Sequence, residues 1–145
     1  MATLFENMNA IDNYLTEMTN NKNAFDDLEK KYNIKIAPSI RSFINEFSNK
    51  NFSVYIKIGK DEYEVRGVFS VSSSEGYAGL LDKVIKSILT ESNNKFIPVA
   101  IDSGSNYYCV DMSGSNVYRQ NHEDNNFEKL CSFATFKNEL KKAIK

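Results

Sequence analysis

Phe96–Glu123, FIPVAIDSGSNYYCVDMSGSNVYRQNHE, is the stretch whose reading decides the fold. Three short apolar segments, Ile97–Ile101, Tyr107–Asp111 and Val117–Gln120, are separated twice by the tetrapeptide Ser-Gly-Ser-Asn. Short apolar runs bounded by Ser, Gly and Asn are strand-and-turn signals, so the stretch predicts an antiparallel meander. Asp102 and Asp111 each stand just before a turn. Short acidic side chains there cap the backbone N–H groups that follow, and that is the role expected of both.

Toward the N-terminus the same period of two continues. Phe52, Val54, Ile56 and Ile58 alternate with Ser53, Tyr55 and Lys57, and Gly59-Lys60-Asp61 is a hairpin turn. Tyr63–Val71 reads as the returning strand, with Glu62, Glu64 and Arg66 outward and Gly67 marking a bulge or bend. Before Asn49 the period is near 3.6. Leu4, Met8, Ile11, Leu15 and Met18 form a helical stripe behind a capping box at Thr3–Glu6, with Asn20-Asn21 as its stop. Asn23 caps a second short helix reaching Tyr32, and Pro38 opens a third whose face is Ile40, Phe43, Ile44 and Phe47. A fourth helix runs from a capping box at Ser72–Glu75 to Leu89. A last one, capped by Ser132, carries Phe133, Phe136, Leu140 and Ile144, with lysines near its negative end. The order is not strictly β-α-β. The expected fold is therefore a single α+β domain over residues 1–145, an antiparallel sheet of hairpin plus meander covered by helices on one face.

The bulk composition removes several functions. With 18 basic and 19 acidic residues in 145, no net field recruits nucleic acid or an anionic membrane. No apolar run spans a bilayer, and MATLFENMN lacks the basic start of a signal peptide, so the expectation is a cytoplasmic protein. Cys109 and Cys131 are too few for a disulfide framework and read as packing residues.

Catalytic patterns are absent from the chain. His122 is the only histidine, no serine sits in GxSxG, and no phosphate-cradling glycine loop occurs. His122, Glu123 and Asp124 are adjacent and cannot converge on one ion, so no metal and no cofactor is expected. Asp102–Asn106 lacks the distal bidentate glutamate of a calcium loop. Glu62 and Glu64 share a strand face, roughly 7 Å apart, and read as a solvated pair rather than a glycosidase pair. The tyrosines of the meander are packing residues, of which one or two exposed members suit a protein interface.

The order of these motifs resembles that of SUKH domains (the Smi/Knr-type family). The carriers are Ala37-Pro38 with its aromatic-aliphatic helix, Ile97-Pro98-Val99-Ala100, Asp102, the strand Tyr108–Asp111, Val117-Tyr118, His122-Glu123, and Ser132-Phe133 with Phe136. The family's glycine turn after the proline helix is replaced by Ser48-Asn49-Lys50. The resemblance covers Phe25 to the C-terminus. It implies a non-enzymatic protein-binding module, either an immunity protein that binds and neutralises a cognate toxin, often a nuclease, or an intracellular regulatory scaffold. It also implies a binding cleft around Asp102, Asn106, Tyr118, His122 and Glu123. Acidic side chains at Asp61, Glu62, Glu64, Glu123 and Asp124 are candidates to oppose a basic toxin, and the chain is expected to be a monomer or weak homodimer.

Overall fold

The computed structural model describes residues 4–48, 50, 52–72 and 76–144. A 29-residue helix α1 (Leu4–Tyr32) is followed by α2 (Pro38–Phe47) and a hairpin of β1 (Val54–Ile58) and β2 (Asp61–Val65). Then come β3 (Gly67–Val68), α3 (Asp82–Glu91), β4 (Phe96–Ile101), β5 (Tyr107–Asp111), β6 (Asn116–Gln120), β7 (Phe127–Ser132) and α4 (Phe133–Ile144). The fold is α+β. The hairpin forms its own two-stranded sheet, and β3 to β7 make a five-stranded antiparallel sheet in chain order.

Where one returning strand was expected over Tyr63–Val71, the chain changes sheets at Arg66. The Arg66 N–H already donates to the carbonyl of Ile101, and Gly67 then pairs with Ile101 across the ladder. A Cβ at Gly67 would lie 3.1 Å from the backbone nitrogen of Ala78, closer than ordinary contact, so a larger residue there would push the two segments apart by a few tenths of an ångström.

α1 is also continuous where two helices were expected. Asparagine lowers helix propensity without blocking the backbone bond, and Asn21 is engaged elsewhere. It is buried, its Nδ2 donates to Asn45 Oδ1 at 2.8 Å, and its Oδ1 accepts from the Ser72 hydroxyl. The helix ends at Asn33, whose φ of 54° is the left-handed stop that asparagine tolerates. The capping box at Thr3–Glu6 and the one at Ser72–Glu75 each include residues outside those described, as does the loop position Asn49. α3 itself begins at Asp82, later than the sequence pattern suggests.

β7 is a strand that the sequence reading lacked. Its last residue, Ser132, caps α4 as expected, accepting from the Thr135 N–H at 3.1 Å.

The helices cover one face of the meander. Phe43 lies 5.2 Å from Phe133 and 5.9 Å from Phe136, and Phe136 in turn packs, tilted, 5.3 Å from Tyr108. All four expected residues of α2 are buried in this core. Alternation along the strands turns Tyr118 to the other face, where it stacks on Phe96 at 4.3 Å while Phe127 sits 4.9 Å from Phe96. These half-buried rings lie on the face that also carries Cys109, the register partner of Tyr118.

Candidate protein-binding surface

β4 and β6 run in the same direction, so the loops that follow Ile101 and Gln120 leave the sheet at the same end. Asp102 organises the first loop. It is only 6% exposed. Its Oδ1 accepts from the N–H groups of Gly104 and Asn106, both at 2.9 Å, and its Oδ2 accepts from Asn106 Nδ2 at 3.0 Å and Arg119 Nη2 at 3.0 Å. Burial by itself would raise the Asp102 carboxyl, but the bonds from Asn106, Arg119 and Gly104 outweigh it and hold the group below the usual carboxylate range. Ser105 sits at a φ of 66°, which this bonding over-determines.

Asn106 joins the two loops. With its Nδ2 committed to Asp102, its Oδ1 faces His122, accepting from the His122 N–H at 3.0 Å and lying 2.9 Å from the ring Nδ1. An amide oxygen can only accept, so the neutral imidazole carries its proton on Nδ1 and presents Nε2 outward as an acceptor. The second loop is closed by its own side chains. Asn121 Oδ1 accepts from the Glu123 N–H and Asp124 Oδ1 from the Asn126 N–H, both at 2.9 Å.

The hairpin reaches the same region. Glu64 Oε1 accepts from the Ser103 N–H at 2.9 Å and from its hydroxyl, and the carbonyl of Glu64 accepts from the Tyr108 hydroxyl at 2.6 Å. Five residues therefore form one connected polar edge: Glu64, Ser103, Asp102, Asn106 and His122. Arg119 braces it from β6, with its Nε enclosed and unpaired.

Of the residues singled out in sequence, the structure brings together Asp102, Asn106, His122 and Glu64. Glu123 is on the same loop as His122, with its N–H engaged and its side chain exposed. Glu62 is exposed opposite Lys57 on the hairpin, outside the bonded set. Tyr118 stands apart from it, on the aromatic side of the sheet with Phe96 and Phe127. Arg119 and Ser103 were missed. Each contacts the site through a partner 17 or 39 residues away, and no local pattern marks such a pair.

The remaining reactive groups are structural. Asp111 caps the second Ser-Gly-Ser-Asn turn as expected, accepting from the Ser115 N–H at 2.8 Å, and such bonds hold its carboxyl low against the burial that would raise it. Cys109 is fully enclosed and its thiol is pushed far up by burial, while burial raises Cys131 to about 11. Neither is a thiolate at neutral pH. Among the described residues no three His, Cys, Asp or Glu side chains converge as a metal site, and no helix is long and apolar enough to cross a membrane.

Neither the comparison with curated proteins nor that with solved structures gives a match. The family model described as SMI1 / KNR4 family (SUKH-1) matches residues 19–139, which spans α2, both sheets, α3, the second half of α1 and the first part of α4. The motifs quoted from the sequence fall inside that span, and the chain belongs to the SMI1 / KNR4 family (SUKH-1).

Proposed function

We propose that this chain is a non-enzymatic binding module of the cytoplasm, an immunity protein that neutralises a cognate toxin by covering its working surface. The observation that carries this reading is the single amide of Asn106, which fixes the loop after Ile101 to the loop after Gln120. A surface already held in one geometry loses little conformational freedom on docking, so more of its contact energy appears as affinity. Its exposed chemistry suits a basic partner. His122, Glu123 and Asp124 stand on one loop, and Asp61 and Glu62 are exposed on the hairpin, whose Glu64 is bonded to the neighbouring loop. A patch burying on the order of 1,600 Å² is enough to exclude a substrate from a toxin's active site. Charge opposition would raise the association rate and reject wrong partners.

The test is co-expression with the toxin encoded beside this gene. Growth is expected to be rescued by the natural chain and to be lost or weakened with Asn106→Ala plus His122→Ala. Gel filtration should show a complex that weakens with added salt. Continued growth arrest with the natural chain and no complex would overturn the reading, and recovery of an endogenous regulatory protein instead would favour a scaffold.

A further inference from the structure

From Ala10 onward the first half of α1 carries apolar side chains that the other described residues leave open. Ile11, Tyr14 and Leu15 are 57%, 59% and 55% exposed, whereas Phe25 and Leu28 of the same helix are buried in the core. In the sequence Leu4, Met8, Ile11, Leu15 and Met18 follow one another at alternating steps of four and three. That is the spacing of a two-helix seam, narrower than the stripe of about 100° or more that a helix lays against a globular core. α2 accompanies α1 only up to the base of this segment, where Tyr14 and Met18 with Ser42, Asn45 and Glu46 line a groove of about 410 Å³. The family match begins at Thr19, so Ile11, Leu15 and Met18 lie outside it.

We propose that this segment pairs with the same segment of a second copy, as an antiparallel seam about a two-fold axis. The spacing asks for one helix of equal spacing, and a second α1 supplies it. A two-fold operator satisfies both stripes at once. The described flanking positions are Asp12, Tyr14 and Thr19, so each copy brings one acidic side chain to the seam and not a like-charged row. Antiparallel helix dipoles attract, and this direction carries each helix tip toward the groove at the base of the other. The segment Leu4–Asn20 is about 26 Å long, and a seam between helices about 10 Å wide has a footprint of roughly 260 Å² on each copy, on the order of 500 Å² over both. That is small for a specific interface, so the dimer is weak and concentration-dependent.

Sedimentation velocity on the full chain, from low micromolar to near-millimolar concentration, tests this. The natural chain is expected to move from monomer to dimer, and Ile11→Asp with Leu15→Asp to stay monomeric with an unchanged thermal melt, since both sites are exposed. A natural chain that stays monomeric throughout, or a double variant that dimerises equally, overturns the proposal. So does a monomeric natural chain that needs the stripe to bind a toxin, because the occupant would then be that partner. Toxin neutralisation by the double variant is expected to persist, which separates this proposal from the binding role of the loops.

Discussion

Replacing Asp102 by asparagine keeps the shape of the side chain and removes its charge. One oxygen remains to accept from the N–H groups of Gly104 and Asn106, but the new amide nitrogen would face two donors, Asn106 Nδ2 and Arg119 Nη2. Two of four bonds are lost. A hydrogen bond to a charged group contributes about 1.5–3 kcal/mol. The Arg119 side chain keeps 28% of its surface in water, so part of that loss is recovered by hydration. The expected cost is about 2–3 kcal/mol, seen as a lower denaturant midpoint with unchanged slope, or as a melting temperature lower by roughly 4–10 °C. The difference should also depend on pH. Because the folded state holds this carboxyl below its ordinary value of 3.8, its contribution is complete above that value and is lost as the pH falls through the depressed one. The gap between natural chain and variant should therefore be flat from about pH 5 to 8 and close below about pH 4. Equal stabilities at neutral pH, or a gap undiminished in acid, would refute the assignment of Asp102 as the charged organiser of the loop.

Two further substitutions separate neighbouring explanations. Gly114 has a φ of 77° and its Cβ would strike the Ser39 hydroxyl at the start of α2, whereas Gly59, with a φ of 64°, has open space around it. Gly114→Ala should cost about 2–4 kcal/mol and Gly59→Ala about 1 kcal/mol. Equal denaturant midpoints for the two would show that backbone conformation alone, and not the contact with α2, governs the site. Asn21→Ala should lower stability by about 1–2 kcal/mol by removing the buried amide's bonds to Asn45 and Ser72, while Asn20→Ala, one residue away and exposed, should leave it within about 0.5 kcal/mol. A thermal melt of both variants decides, and matching melts would return Asn21 to the role of a plain helix residue.

The parts of this fold that could be read from sequence are those where local chemistry and tertiary use agree. The strands β4, β5 and β6 announce themselves because each is a short apolar run closed by a turn that Asp102, Asp111 and their Ser-Gly-Ser-Asn partners build locally. α2 was readable because Pro38 and four evenly spaced apolar residues all serve the helix they sit in. β7 was not, and the ladder shows why. Val117 pairs with Cys131 but Tyr118 pairs with Lys129, so Leu130 is an extra residue that breaks the alternation on which a strand is recognised. The division of α1 failed for the opposite reason. Asn21 looks like a local stop, but its side chain is spent on Asn45 and Ser72, contacts 24 and 51 residues away. The site was half visible. Its turn-making residues carry local signals, whereas the brace from Arg119 and the tie from Glu64 exist only once the chain is folded.

The same irregularity in β7 limits how anything can approach this protein. β7 is an outer strand of the five-stranded sheet, and the other, β3, is two residues long. An incoming strand adding itself to β7 would need an unbroken row of free N–H and C=O groups, and would meet instead a bulge at Leu130 beside the adjacent charges Glu128 and Lys129. Backbone pairing, the least discriminating way for two proteins to adhere, is thereby closed at that edge. A partner that docks at that edge must read side chains, and a surface held only by its side chains can tell one partner from another.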